Sequence, residues 1–320
     1  MPEPAGSPPP FAKHFNGKRF YNPDAPQARG WLDLLRWKLT SRPEPSPQFI
    51  ADVEPSIPPR RVEGDDLRVT LVNHSTVLLQ QSASNILTDP IWSQRASPFS
   101  WIGPRRRRNP GVRKNDLPPI DIVLISHNHY DHLDLPTLRW LAQRGGSVFI
   151  APTGVTRLLR SENIKPVHEL DWGQFHTLGQ TTIHCVPAIH FSARGVFDRN
   201  KTLWCGYLIE CRNRTVYFAG DTGFGGHFSQ IRTRFGPPRL ALLPIGAYEP
   251  RWFMSPIHMS PEEALQAHRI LGAQTSIAIH HGTFQLADES IDSPARELLA
   301  SGCPDSFLLL QSGQSAVIVG

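Results

Sequence analysis

Apolar residues in this chain fall mostly into short β-branched runs, and few of them form long helical stripes. Residues 68–72 and 76–80 read as strands, and 85–89 as a third that Pro90 ends. Three strands so closely spaced predict a meander of hairpins, not the strand–helix alternation of a doubly wound sheet. Further along, 121–125 reads as a buried strand and 135–144 as a helix that Pro136 starts and Gly145 with Gly146 stops. Residues 148–151 form a strand and 154–162 a short helix. Residues 181–186 alternate in polarity, and 203–210 pairs with 215–219 around the polar turn 211–214. Residues 240–243 form another buried strand. Ser260, Pro261 and Glu263 then supply an N-cap, a first-turn proline and a capping box for a helix that runs to Leu271 and stops at Gly272. Residues 276–279, 307–310 and 316–319 are the closing strands. Mixed sheets flanked by helices follow from this order.

The globular domain is expected to span 67–320, behind an N-terminal arm of 1–66. Residues 1–28, rich in proline, glycine and charge, are expected to have little structure of their own. In 29–42, Trp31, Leu32, Leu35 and Leu39 fall at near-helical spacing. Arg36 and Lys38 interrupt them and Pro43 ends the run. Two readings stay open: a short helix packed on the body, or a basic amphipathic helix at a lipid interface. Residues 43–60 are a proline-rich linker. The long loop 91–119 carries Trp92, Phe99, Trp101 and the run Arg105 to Arg108, with Arg113 and Lys114 close by. It suits either an amphipathic ligand with an anionic head or a loop that packs itself down.

A chain of 320 residues, 39% hydrophobic and 19% charged, can bury a large core. The net charge of +5 is modest and local, and nothing in it points to nucleic acid. Cys185, Cys205, Cys211 and Cys303 form no Cys-x-x-Cys pair, which argues against a cysteine zinc knuckle. The opening residues lack a basic start followed by an apolar core, and no apolar run is long enough to span a bilayer. The expected setting is cytoplasmic with reduced thiols, and peripheral contact at the inner face of a membrane stays open.

The chemistry is concentrated just past strand 121–125, where His127, His129, Asp131 and His132 put four metal-ligand types into six residues. Imidazole and carboxylate without thiolate suit zinc in an open catalytic site. The same device recurs three times, with His190, Asp221 and His280 each standing beyond the end of a short strand. Strand ends hold ligands rigidly. The glycines around Asp221 read as turn residues, since no lysine follows at the spacing of a nucleotide-binding loop. Asp89 is open between supporting a ligand histidine and forming a turn, and Asp134 between the same support and capping the following helix. His74 reads as a core or loop histidine.

This constellation resembles the metallo-β-lactamase superfamily. The resemblance implies an α/β four-layer αββα sandwich of two mixed sheets. It also implies two Zn²⁺: one on His127, His129 and His190, the other on Asp131, His132 and His280, with Asp221 bridging. A one-metal site stays open. Paired metals bring the pKa of water to about 7 and clamp both oxygens of a displacement, so the expected nucleophile is hydroxide, aligned by Asp131 or Asp221. The site's formal charge of about +1 would attract a phosphodiester.

Longer stretches resemble the N-acyl-phosphatidylethanolamine-hydrolysing phospholipase D family. They are 89–95 with 103–105, 125–134, 186–188, 218–223, 244–254, and 279–280 with 282–284. That resemblance implies hydrolysis of N-acyl-phosphatidylethanolamine or a related phospholipid, and a homodimer. His258 corresponds to a histidine near the substrate, which would bind phosphate or protonate the leaving group; hydrogen bonding within its own loop is the other reading. Ile189, Phe191 and His281 depart from the animal pattern and leave the acyl pocket open. A hydrolase (lactonase or phosphodiesterase) of a small cytoplasmic substrate on the same site is the alternative. A metal-dependent scaffold without turnover is the third.

Overall fold

The computed structural model describes residues 11–23, 25–51, 54–212 and 214–319. Helix α1 (Trp31–Thr40) precedes the meander β1 (Leu67–Asn73), β2 (Thr76–Gln81) and β3 (Ser84–Thr88). Then come β4 (Ile122–Leu124), α2 (Leu135–Arg144), β5 (Val148–Pro152), α3 (Val155–Ser161) and β6 (Val167–Leu170). A second series follows with β7 (Phe175–Leu178), β8 (Thr181–Val186), β9 (Gly206–Cys211), β10 (Arg214–Phe218), α4 (His227–Phe235) and β11 (Leu240–Pro244). It closes with α5 (Arg251–Met254), α6 (Pro261–Leu271), β12 (Thr275–Ile279), α7 (Ser293–Ala300), β13 (Phe307–Leu308) and β14 (Ser315–Ile318).

These strands make two seven-stranded mixed sheets, ordered β14-β1-β2-β3-β4-β5-β6 and β13-β12-β11-β10-β9-β8-β7. Alternation along each strand sends one set of side chains to each face. Val69, Leu71, Ile86 and Leu124 of the first sheet meet Ile183, Tyr207, Phe218 and Ile277 of the second. The other face of the first sheet, with Val72, Val123 and Phe149, buries against Leu138 and Leu141 of α2 and Leu159 of α3. The outer face of the second sheet takes Phe228 and Ile231 of α4, Leu265 and Leu271 of α6 and Leu298 of α7. The result is the αββα sandwich. Strands β3, β4 and β5 run parallel, as do β10, β11 and β12. Ligand sites in such sheets gather beyond the carboxyl ends of the strands.

The α6 N-terminus is built as its residues require. Ser260 Oγ accepts from the Glu263 amide at 3.2 Å, and Glu263 accepts from the Ser260 amide at 2.9 Å. Glu263 also takes a bidentate bond from Arg251 (2.8 and 2.9 Å).

Helix α1 settles on the body through a different face from the one its apolar spacing marks. Trp37 is 6% exposed and stacks on Phe253 at 4.9 Å, with Nε1 donating to Asp288. Trp31, Leu32, Leu35 and Leu39 stay exposed, the first three of them next to the helix N-terminus. The segment before it also docks: Phe20 is buried and the Asn22 amide donates to the His190 carbonyl at 2.9 Å. The proline-rich stretch straps across the body, with the Glu44 amide on Asp288, Ile50 on Arg107 and Ser56 on Gly111.

Loop 91–119 packs down around Arg106 while Phe99, Trp101 and Ile102 stay exposed. Arg106, one of four consecutive arginines, is 1% exposed, and burial pushes its pKa down to about 10. It still carries its charge at neutral pH. Its guanidinium donates to the carbonyls of Ser93, Arg108 and Ile91 and lies over the Phe284 ring at 5.2 Å. It acts as a peg that closes the loop, because a charge so deep needs every donor occupied. Arg106→Ala strands those carbonyls and opens a void. It should cost about 3 kcal/mol in urea denaturation, with the same variant at exposed Arg105 costing under about 0.5 kcal/mol.

Candidate metal centre

Seven side chains from four strand ends meet at one edge of the sandwich. Past β4, the Ser126 amide and hydroxyl donate to the two oxygens of Asp89 at 2.7 and 2.6 Å, fixing the loop's first residue. His127 Nε2 then lies 2.8 Å from His129 Nδ1, and His190 Nε2 lies 3.2 Å from that same atom. His190 donates from Nδ1 to the Ile257 carbonyl at 2.9 Å, which leaves a lone pair on the inward nitrogen. These three nitrogens form one group.

Asp131, His132 and His280 form the second. Asp131 Oδ2 is 3.2 Å from His132 Nε2 and 3.3 Å from His280 Nε2. Asp221 Oδ2 lies between the groups, 3.2 Å from His132 Nε2, 3.1 Å from His280 Nε2 and 3.8 Å from His190 Nε2. His132 is held from behind, with Nδ1 donating to Asp89 at 2.6 Å. Gly220, at φ 61°, lets Asp221 approach: a Cβ there would sit 2.7 Å from that of Ser126. His74, Asp89 and His280 also adopt left-handed φ values of 46°, 31° and 59°. Strain of this kind persists only where surrounding contacts enforce it.

The donor set fits metal. Tetrahedral ligands at about 2.0–2.1 Å stand roughly 3.3 Å apart, close to the spacings found here. His132 Nε2 sits 3.2 Å from two carboxylates yet makes no hydrogen bond, and the second oxygen of Asp221 is buried and unpartnered. Without its proton, His132 Nε2 would be a free donor beside both carboxylates. Burial holds His127 well below the ordinary histidine pKa, takes His129 to about 3 and takes His190 to about 4. All three stand neutral and ready to ligate. Burial also opposes charge on His132 and His280, but Asp221 and Asp131 hold His132 well above the usual value and His280 at about 9. The same histidines, His132 first, hold Asp131 and Asp221 well below the usual carboxylate range against burial.

His258 joins this set, with Nδ1 buried, unpartnered and 3.9 Å from Asp221 Oδ2. The α6 N-terminus near it is closed by its own Glu263, so the helix end offers His258 no open anion site. Asp89 takes the supporting role left open for it. Asp134 touches no ligand histidine; it accepts from the Trp92 and Ser93 amides and the Ser93 and Thr137 hydroxyls. His74 is not an isolated core histidine. It reaches Asp131 at 3.0 Å, and its ring lies 4.2 Å from that of His280, tilted by 42°. Its one sequence signal was a polar turn, Asn73 to Ser75, between two apolar strands.

A model of the β-lactamase superfamily domain matches residues 84–281. The chain belongs to the metallo-β-lactamase superfamily. It is a metal-dependent hydrolase by that membership. A protein of Mycobacterium tuberculosis is 41% identical over 281 residues, covering 86% of this chain and 74% of its own length. N-acyl-phosphatidylethanolamine-hydrolyzing phospholipase D 1 of Caenorhabditis elegans is 36% identical over 301 residues, covering 86% and 84%. Igni18, a metallo hydrolase of Ignicoccus hospitalis, shares the fold with a TM-score of 0.60 at 22% identity, over 80% of this chain and 99% of that one.

Metal entry must displace the protons that Asp131 and Asp221 keep on His132 and His280. Zinc loading at pH 7.5 should therefore release about two protons, read by calorimetry in buffers of differing ionisation enthalpy. The sign follows from the raised pKa of His280: metal affinity climbs as pH rises towards about 9. Affinity that is flat from pH 6.5 to 9 would contradict this charge assignment.

Proposed function

We propose that this hydrolase is a zinc-dependent phosphodiesterase that cleaves N-acyl-phosphatidylethanolamine or a related phospholipid in the phospholipase D sense. Water oxygen attacks phosphorus, the phosphorus–oxygen bond to the N-acylethanolamine breaks, and phosphatidic acid is the second product. The carrying observation is a cavity of about 260 Å³ whose floor is Asp131, Asp221, His258 and His280. Its walls are apolar, lined by Leu34 and Trp37 from α1 together with Phe191, Phe253 and Met254. Arg29 and Arg199 add positive charge to the lining. An acyl chain against the walls with phosphate on the floor matches that division. The 36% identity to the nematode phospholipase D supports the same substrate class.

In this reading His127, His129 and His190 would hold one Zn²⁺ and Asp131, His132 and His280 the other, and Asp221 would serve both. Bound zinc supplies Lewis acidity and acidifies water at neutral pH. The carboxylates of Asp131 or Asp221 would accept a hydrogen bond from the attacking water and align it. Burial holds His258 well below the ordinary histidine pKa. As a neutral ring it would donate its N–H to a phosphate oxygen or to the leaving oxygen.

Peripheral contact with a lipid surface belongs to the same reading. No described helix is long and apolar enough to cross a membrane. Helix α1 instead turns Trp31, 69% exposed, and Leu32 and Leu39, 79% and 77% exposed, outward while its other face walls the cavity. The loop bearing exposed Val196 and Phe197 lies beside it, tied by Arg199 to the carbonyls of Ala28 and Arg29. Apolar side chains beside basic ones suit an anionic bilayer.

The zinc-loaded protein should release N-acylethanolamine and phosphatidic acid from N-acyl-phosphatidylethanolamine, as read by mass spectrometry. Turnover of lactones with none of any phosphodiester would overturn the assignment. His258→Ala should lower kcat/KM roughly a hundredfold with zinc content unchanged. Trp31→Ser combined with Leu35→Ser should abolish cosedimentation with anionic vesicles while sparing hydrolysis of a soluble phosphodiester.

A further inference from the structure

We propose that His74 is a positioning residue for the metal centre, holding Asp131 by its ring and His280 by its backbone. The inference rests on the metal centre proposed above. His74 occupies the tight turn between β1 and β2, in the opposite sheet from β12, which delivers His280. Its Nε2 lies 3.0 Å from Asp131 Oδ2. A carboxylate oxygen can only accept, so Nε2 carries the ring proton and donates. Its carbonyl accepts the amide of His280 at 3.0 Å, and its own amide donates to Thr283 Oγ1 at 2.9 Å. One residue of the first sheet thus clips the segment 280–283 of the second and steers a carboxylate on the loop after β4.

Two further observations set His74 apart from a filler of the core. Its Nδ1 is buried without a partner among the described residues. Leaving a polar atom unpaired is costly, and an apolar side chain would avoid that cost. The ring is retained for what Nε2 does. The backbone is also held at φ 46°, a conformation a non-glycine residue adopts only under constraint. That twist lets the amide and carbonyl both reach the 280–283 segment while the ring turns towards Asp131. A carboxylate with one direction fixed by an N–H presents its remaining lone pairs in a set orientation, as supporting residues do for metal ligands.

His74 also lies within ligand range of Asp131, His132 and His280, so direct ligation is the competing outcome. Neutron diffraction from crystals of the zinc-loaded wild type separates the two without any variant. Deuterium on Nε2 between His74 and Asp131 is the expected result; a bare Nε2 bonded to zinc overturns the proposal. Chelator competition then tests function. His74→Leu should hold the metal on the Asp131 side 10–100-fold more weakly, by analogy with other supporting residues. The cobalt-substituted spectrum of that variant should change as well. His74→Gln, which can place an amide N–H where Nε2 stood, should recover most of the affinity. Unchanged affinity in His74→Leu, or a His74→Gln no better than His74→Leu, overturns the proposal. Should His74→Leu fail to fold, His74→Asn, whose amide is too short to reach Asp131, replaces it in the comparison with His74→Gln. A wild type that takes up no zinc overturns the metal-centre reading itself, whereas two zincs held equally by wild type and variant overturn only the role of His74.

Discussion

Two buried carboxylates set the terms for this molecule. Asp131 and Asp221 lie out of water, and the ion-pair partners of both among the described residues are histidines. Removing such charges from water is expensive, and the interior returns that energy only if positive charge stands close by. Histidine can supply it in two ways. Protonated, His132 and His280 neutralise the carboxylates directly. Neutral, the same rings and carboxylates become a donor set for a divalent cation. A buried donor set of this kind can exchange protons for a metal ion.

The sandwich makes this arrangement affordable in backbone terms. Parallel strands β3, β4 and β5 in one sheet and β10, β11 and β12 in the other end at the same edge. Asp89, the histidine loop, Asp221 and His280 all follow those ends, so rigid ladders set the positions of groups far apart in sequence. The seam between the sheets is then locked by short polar contacts. The His74 turn joins the first sheet to the segment after β12, the Cys205 amide donates to the Ser126 carbonyl, and Asp89 ties Ser126 to His132 on the first sheet's own edge. The left-handed backbone at His74, Asp89 and His280 is the local cost of that closure.

The N-terminal segments finish the site. Asn22 braces the backbone of His190, and α1 contributes Trp37 and Leu34 to the cavity that His129, Asp131, Asp221 and His280 also line. The catalytic edge therefore has an apolar wall that comes from outside the sandwich itself. The same helix turns tryptophan and leucine to solvent on its far face. A single ten-residue helix thus borders the cavity on one side and offers an apolar surface on the other.

Local signals were strong wherever one element carried its own pattern. The β-branched runs marked most of the strands, Ser260 with Glu263 marked the start of α6, and His127 to His132 announced ligands by density alone. Strands β6 and β7, half exposed at the sheet edges, and helices α4, α5 and α7 went unread, since all are short and bury few residues. Arg106 looked like one of four equivalent arginines, and burial alone distinguishes it. His74 looked solitary because its partners lie 57 and more positions away. The sequence by itself determined the strands, the kinds of ligand and their placement at strand ends, because those depend on short-range pattern and side-chain chemistry. Which face of α1 turns inward, which arginine is buried and which histidine braces Asp131 were decided only by tertiary structure. Each depends on what two separately folded surfaces present to one another when they meet, and no local window contains both.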